Sequence, residues 1–176
     1  ICWIWNNGLS YAIIPLTEGN LQWSGNSSIG ISTGDWKNVF VHEGGGHGFG
    51  KLLDEYHYND SPNYTAESIE SQAWEVPLGL NLTTDFNNTK GSVYWKHLLN
   101  DSRYPRTGFF EGGMGYKSGI WHSEITSCMD DNRLYFNTRS RQLIVERIKT
   151  IAGEPFVLEE FFAKDINYDP LRDFNS

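Results

Sequence analysis

The chain is poor in basic residues, has only two cysteines and two methionines, and lacks any long apolar run. Lys and Arg number 14 against 22 Asp and Glu in 176 residues, a formal net charge of −8. Phosphate backbones are bound by clustered Lys and Arg, so this balance argues against a nucleic-acid partner. Without about 18 consecutive apolar residues, no membrane-spanning helix is expected. Cys2 and Cys128 lie far apart and neither belongs to a Cys-x-x-Cys pair, which excludes a zinc ribbon or a dithiol redox centre. Two buried free thiols are expected rather than a disulfide. No initiator methionine or signal peptide precedes Ile1–Trp5, which reads as the interior of a strand, so the chain is expected to begin inside a longer precursor.

What is present is a concentration of histidine, glycine and acid. His42 to Tyr56 reads His-Glu-Gly-Gly-Gly-His-Gly-Phe-Gly-Lys-Leu-Leu-Asp-Glu-Tyr, and five of the nine residues from Glu43 to Lys51 are glycine. Each glycine in a helix costs about 1 kcal/mol relative to alanine, so the run is retained for something other than local stability. Two imidazoles and a following Asp54-Glu55 pair are zinc-ligand types. His42 and His47 are five apart, and in a regular α-helix such residues are separated by roughly 140° around the axis. A widened turn with i→i+5 hydrogen bonding would return both rings to one face, and Gly44, Gly45 and Gly46 favour it by lacking side chains that clash. Gly50 is then expected to end the helix in a left-handed turn that swings Asp54 back as third ligand, with Glu55 the close competitor. Glu43 is not needed as a ligand. It is placed to take a proton from a water whose pKa a bound zinc ion lowers toward ~7.

The remaining chain reads as one α+β domain spanning 1–176, with a strand-and-helix half at 1–56 and a loop-rich half at 57–176. Strands are expected at Ile1–Trp5, Tyr11–Pro15 and Ile29–Ser32, separated by turns at Asn6-Asn7-Gly8 and Glu18-Gly19-Asn20. The last would suit a sheet edge able to accept an extended peptide. Asp35 is a candidate N-cap for the helix carrying Trp36, Val39 and Phe40. Helical character recurs at Thr65–Ala73, at Ser92–Leu99 and from Asn137 or Ser140 to Gly153, where Leu143, Ile144, Ile148 and Ile151 share a face. There Arg139, Arg141, Arg147 and Lys149 are expected on the solvated face. A short helix is expected at Leu158–Asp165 and an extended tail from Asn167. Phe109–Gly113 and Ser118–Trp121 read as short irregular strands, and His97 as a surface residue. His122 either polarises a substrate carbonyl or lies on the surface.

His42-Glu43…Gly46-His47…Asp54-Glu55-Tyr56, followed by Ser127-Cys128-Met129, resembles the IgA-protease-like family of bacterial zinc metallo-endopeptidases, a likeness running from Trp3 to the helix near Ile148. The resemblance implies a metzincin-like fold: a twisted mixed sheet packed on an active-site helix, then a loop-rich half with a methionine turn and a C-terminal helix. It further implies one zinc ion held by His42, His47 and a nearby acid, Glu43 as general base, Met129 as the turn methionine and a peptide or protein substrate. His122 and Tyr56 are candidate substrate contacts. Location would be secreted, periplasmic or at the surface of a bacterium. There the Asn-x-Ser/Thr triplets at Asn26, Asn63, Asn81 and Asn87 would carry no consequence. The family pattern is His-Glu-x-x-His, whereas this chain has His-Glu-x-x-Gly-His, a spacing similar to that of dipeptidyl peptidase III enzymes. The alternative is a noncatalytic glycan- or protein-binding module that keeps a degenerate metal site.

Overall fold

The computed structural model describes residues 2–6, 9–15, 21–24, 30–31, 36–65, 80–87 and 93–165. Strands β1 (Cys2–Asn6), β2 (Leu9–Pro15), β3 (Leu21–Ser24) and β4 (Gly30–Ile31) form a four-stranded sheet in chain order. Every pairing in it is antiparallel, so the mixed sheet expected above is corrected. The connections explain why: segments 7–8, 16–20 and 25–29 are too short for the crossover of a dozen or more residues that parallel neighbours require. Asn6 pairs with Leu9 across Asn7-Gly8, the dipeptide best suited to a two-residue hairpin. β3 is a strand that the sequence reading lacked. β4 occupies an edge, as expected, but it is β1 at the other edge that packs against the histidine-bearing helix.

Helix α1 (Trp36–Phe40) runs directly into ten residues of π-helix, Val41–Gly50. The expected widened turn is therefore present, and it extends over the whole glycine-rich run. Gly50 does not end it in a left-handed turn. That role falls to Lys51, at φ 57°, whose N–H bonds Gly46 O. Gly50 stays helical in a crowded spot, where a Cβ would lie 3.1 Å from Gly45 O, Ile144 Cγ1 and Leu52 Cγ.

A second antiparallel sheet has the order β5-β7-β6, from β5 (Leu82–Thr83), β6 (Phe110–Gly113) and β7 (Tyr116–His122). Leu82 and Phe110 flank His122 in its two ladders. Where the Ser92–Leu99 helix was expected, the described residues 93–99 hold one 3₁₀ turn, Lys96–Leu98, in its place. Three helices follow: α2 (Cys128–Asp131), α3 (Thr138–Ala152) and α4 (Leu158–Lys164). Asn137 Oδ1 accepts the Ser140 N–H at 2.9 Å to cap α3, and Gly153 at φ 70° ends it.

Two apolar clusters hold this half together. One joins Val93, Trp95, Leu98 and Tyr104 to Phe161 and Phe162 of α4. The other sets Leu52 and Met129 against Leu143 of α3, and so ties the end of the π-helix to α2 and α3. Only the first half of α3 is covered, and Ile148 and Ile151 are exposed. Two arginines expected in solvent are instead sequestered. Arg139 is buried and its Nε donates to Leu80 O at 3.1 Å, while Arg141 grips Asp165 bidentately at 2.7 Å and 2.7 Å. The buried face of α3 is thus partly polar, which apolar periodicity cannot register. Among the described residues no helix is long and apolar enough to cross a membrane. The expected Asp35 cap, the expected Thr65–Ala73 helix past Thr65 and the tail from Asn167 lie outside the described residues.

Candidate metal centre

In the π-helix, i→i+5 hydrogen bonding stacks residues five apart, which puts His42 above His47 on one face. After the Lys51 reversal, Asp54 meets both. His42 Nε2 lies 3.0 Å and His47 Nε2 3.2 Å from Asp54 Oδ1, and the two Nε2 atoms are 3.2 Å apart. Four-coordinate zinc at bond lengths of about 2.0–2.1 Å separates its ligand atoms by about 3.3 Å, so the triangle has the right size.

The outer ring atoms strengthen the case. His42 Nδ1 donates to Cys128 O at 2.7 Å, and His47 Nδ1 donates to Leu52 O at 2.7 Å. With those hydrogens on Nδ1, each neutral ring turns a bare Nε2 lone pair inward, toward the other ring and toward a carboxylate oxygen. Three acceptors therefore converge, an arrangement that is repulsive without a positive charge among them. A proton relieves it in part. Burial alone would raise the Asp54 carboxyl, but hydrogen bonding to His42 and His47 outweighs this and holds it well below the usual carboxylate range. Burial likewise opposes the charged form of His47, yet contact with Asp54 raises it. A divalent cation would satisfy all three at once, and backbone carbonyls on the far ring nitrogens are the partners that metal-bound histidines ordinarily have. His42, His47 and Asp54 together could hold a metal ion.

Glu55, the competing ligand, points elsewhere. It is fully buried, accepting from Asn81 Nδ2 at 2.9 Å and from Asn137 Nδ2 at 3.0 Å and 2.8 Å. Burial drives its carboxyl up to about 7 in spite of these donors. Glu43 is half-buried beside the triangle, and its charge bears on His47 and Tyr56 as a lesser contribution than burial and Asp54. The Tyr56 phenol bonds Asp54, and burial with that neighbour raises it above its ordinary range. His122 is not at the surface, contrary to one of its two expected placements. It is 5% exposed, its Nδ1 lies 3.8 Å from Glu55 Oε2, and it is not one of the converging residues. Pairing of β7 on both sides draws it inward.

Met129 is fully buried directly beneath the helix. A Cβ placed on Gly46 would come within 2.2 Å of its Sδ, so glycine at 46 is what lets the helix settle on the sulfur. Cys128 is a buried free thiol whose pKa burial pushes up to about 12, leaving it unreactive; its carbonyl is the part that serves the site.

Three contributors were not read as part of the centre: Asn81, Asn137, expected only as a possible helix start, and the Met114-Gly115 turn whose N–H groups bond Asp54 O and Tyr56 O. Asn81 stood in the sequence only as the head of an Asn-x-Thr glycosylation triplet, from which no consequence was expected. Burial with both amide atoms engaged excludes that modification. Compared with known proteins, the chain matches no family model and no curated sequence.

Proposed function

We propose that this chain is a zinc-dependent endopeptidase, metzincin-like in fold, that hydrolyses peptide bonds of a peptide or protein substrate with Glu43 as general base. The observation that carries the reading is the convergence of His42 Nε2, His47 Nε2 and Asp54 Oδ1 at 3.0–3.2 Å, each ring locked from behind by a carbonyl. Two imidazoles and one carboxylate form the three-ligand donor set that catalytic zinc sites use while keeping a fourth position open. Zinc so held supplies Lewis acidity, polarising a carbonyl and lowering the pKa of water. Glu43 accepts the proton of the attacking water and returns it to the departing amine. Tyr56 steadies Asp54, and Met129 supports the helix from below. A secreted, periplasmic or surface location in a bacterium belongs to the same proposal and rests on the family resemblance.

Elemental analysis of the purified protein and a digest of a mixed peptide library test it. Stoichiometric zinc with cleavage is expected, and Glu43→Gln should abolish cleavage while zinc stays bound. Full activity in that variant would refute Glu43 as base. Metal without hydrolysis would leave the noncatalytic reading.

A further inference from the structure

The three ligand residues lie within thirteen positions of one another, yet Asp54 is not held by its own helix. Past the Lys51 reversal it sits on a segment that other parts of the chain pin at nearly every step. Leu53 N–H donates to Asn81 Oδ1 at 3.0 Å, and Asn81 Nδ2 donates to Leu53 O at 2.9 Å. Asp54 O accepts from Met114 N–H at 2.9 Å and Tyr56 O from Gly115 N–H at 3.1 Å. Glu55 N–H donates to Met129 O at 2.7 Å. Most of these are backbone-to-backbone bonds that almost any residue would make. Asn81 differs because its carboxamide does the holding. One amide hydrogen goes to Leu53 O before Asp54, the other to Glu55 Oε1 after it at 2.9 Å, and its oxygen takes the Leu53 N–H. Asn81 is 0% exposed, and both of its amide hydrogens and its oxygen engage the two residues that flank Asp54. Its own place is set by β5, whose first residue, Leu82, pairs with His122 of β7.

We infer that Asn81 is a positioning residue for the metal centre: it acts through Leu53 and Glu55 to aim the Asp54 carboxylate at the two imidazoles, and the β5-β7-β6 sheet is the frame that carries it. This rests on the zinc reading above. Alanine at 81 removes three hydrogen bonds around Asp54 while leaving every ligand in the chain. Lost support of this kind ordinarily weakens metal binding by about 10–100-fold.

The test measures zinc affinity by chelator competition and the visible absorption of the Co²⁺-substituted protein, for the full chain and for Asn81→Ala. The thermal midpoint of each metal-free protein is recorded alongside. A zinc Kd raised about 10–100-fold, with Co²⁺ bands displaced or weakened, is expected. Leu98→Val, a loss in the apolar cluster away from the site, should lower the midpoint with Kd and spectrum unchanged. If Asn81→Ala does not fold, Asn81→Asp takes its place. It keeps the acceptor for Leu53 N–H, loses both donors, and should give the same displacement. Wild-type Kd and spectrum in a folded Asn81 variant would overturn the inference while the zinc reading stood. Loss of binding in Leu98→Val matching that in Asn81→Ala would also overturn it, since general instability would then suffice. Failure of the unsubstituted protein to bind Zn²⁺ or Co²⁺ would sink the zinc reading itself.

Discussion

Gly45 and Gly46 are neighbours in the same π-helical run, neither has a positive φ, and alanine should affect them in opposite senses. At Gly45 the nearest atoms to an added Cβ are Phe136 Cζ at 3.5 Å and Val41 Cγ1 at 3.8 Å, which is ordinary contact. Gly45→Ala should therefore stabilise by about 0.4–1 kcal/mol, chiefly by restricting the unfolded chain. At Gly46 the Cβ would meet Met129 Sδ at 2.2 Å and Cε at 3.0 Å. The sulfur lies mid-chain in a side chain that is 0% exposed and packed with Leu52 and Leu143, so it can move only by moving them. Overpacking of this kind costs about 1–3 kcal/mol, more than the entropic gain in most of that range. The two variants should differ by about 1–3 kcal/mol, or about 3–9 °C in thermal midpoint for a chain of this length. Thermal unfolding with excess chelator, followed by near-ultraviolet circular dichroism, reads the difference without interference from metal. Met129→Ala in the Gly46→Ala background should cost less than Met129→Ala alone, because the new methyl enters the space vacated. A Gly46→Ala protein as stable as Gly45→Ala would refute the packing of the helix on the methionine.

Two further outcomes follow from the site. Zinc at about 100 times its Kd should stabilise the folded chain by about 2.7 kcal/mol, and Asp54→Ala should abolish the thermal shift that zinc produces; an undiminished shift would exclude Asp54 as a ligand. Glu55, raised from 4.5 to about 7 by burial, binds its proton more tightly when folded, so its contribution favours the fold below that window and is lost as pH rises through it. At about 1.4 kcal/mol per pH unit the effect reaches about 3 kcal/mol. In metal-free protein, Glu55→Gln should therefore gain on the wild type more at pH 8 than at pH 5, and the reverse order would refute the assignment.

The local features of the centre were legible because they are consequences of spacing. Histidines five apart with glycine between them admit few geometries that share an ion, and the π-helix is the one adopted. The Asn137 cap and Gly153 stop bracket α3 as such residues ordinarily do. An expected turn at Gly50 favours Asp54 over Glu55, and Asp54 does meet the histidines, but what turns Glu55 away is its contact with Asn81 and Asn137, distant in the chain and not legible from adjacent carboxylates. Nor could sequence show that Lys51 rather than Gly50 takes the left-handed conformation. Glycine was the better candidate on local grounds, but Gly50 is needed where Ile144 and Leu52 close in. Arg139 and Arg141 read as surface for a similar reason, because charge on an amphipathic helix is normally solvated, and here partners distant in the chain, Leu80 O for Arg139 and Asp165 for Arg141, help make burial tolerable.

The route by which the Asp54 segment is secured has a consequence for how the chain acquires the centre. His42 reaches Cys128 across 86 positions and Glu55 reaches Asn137 across 82, whereas the ligands themselves are local. Closing loops of that length carries an entropic cost that the local spacing of His42, His47 and Asp54 alone would not. An excised fragment covering only His42, His47 and Asp54 would keep the three converging side chains and still lack Cys128 and Asn137, the distant partners that fix their arrangement.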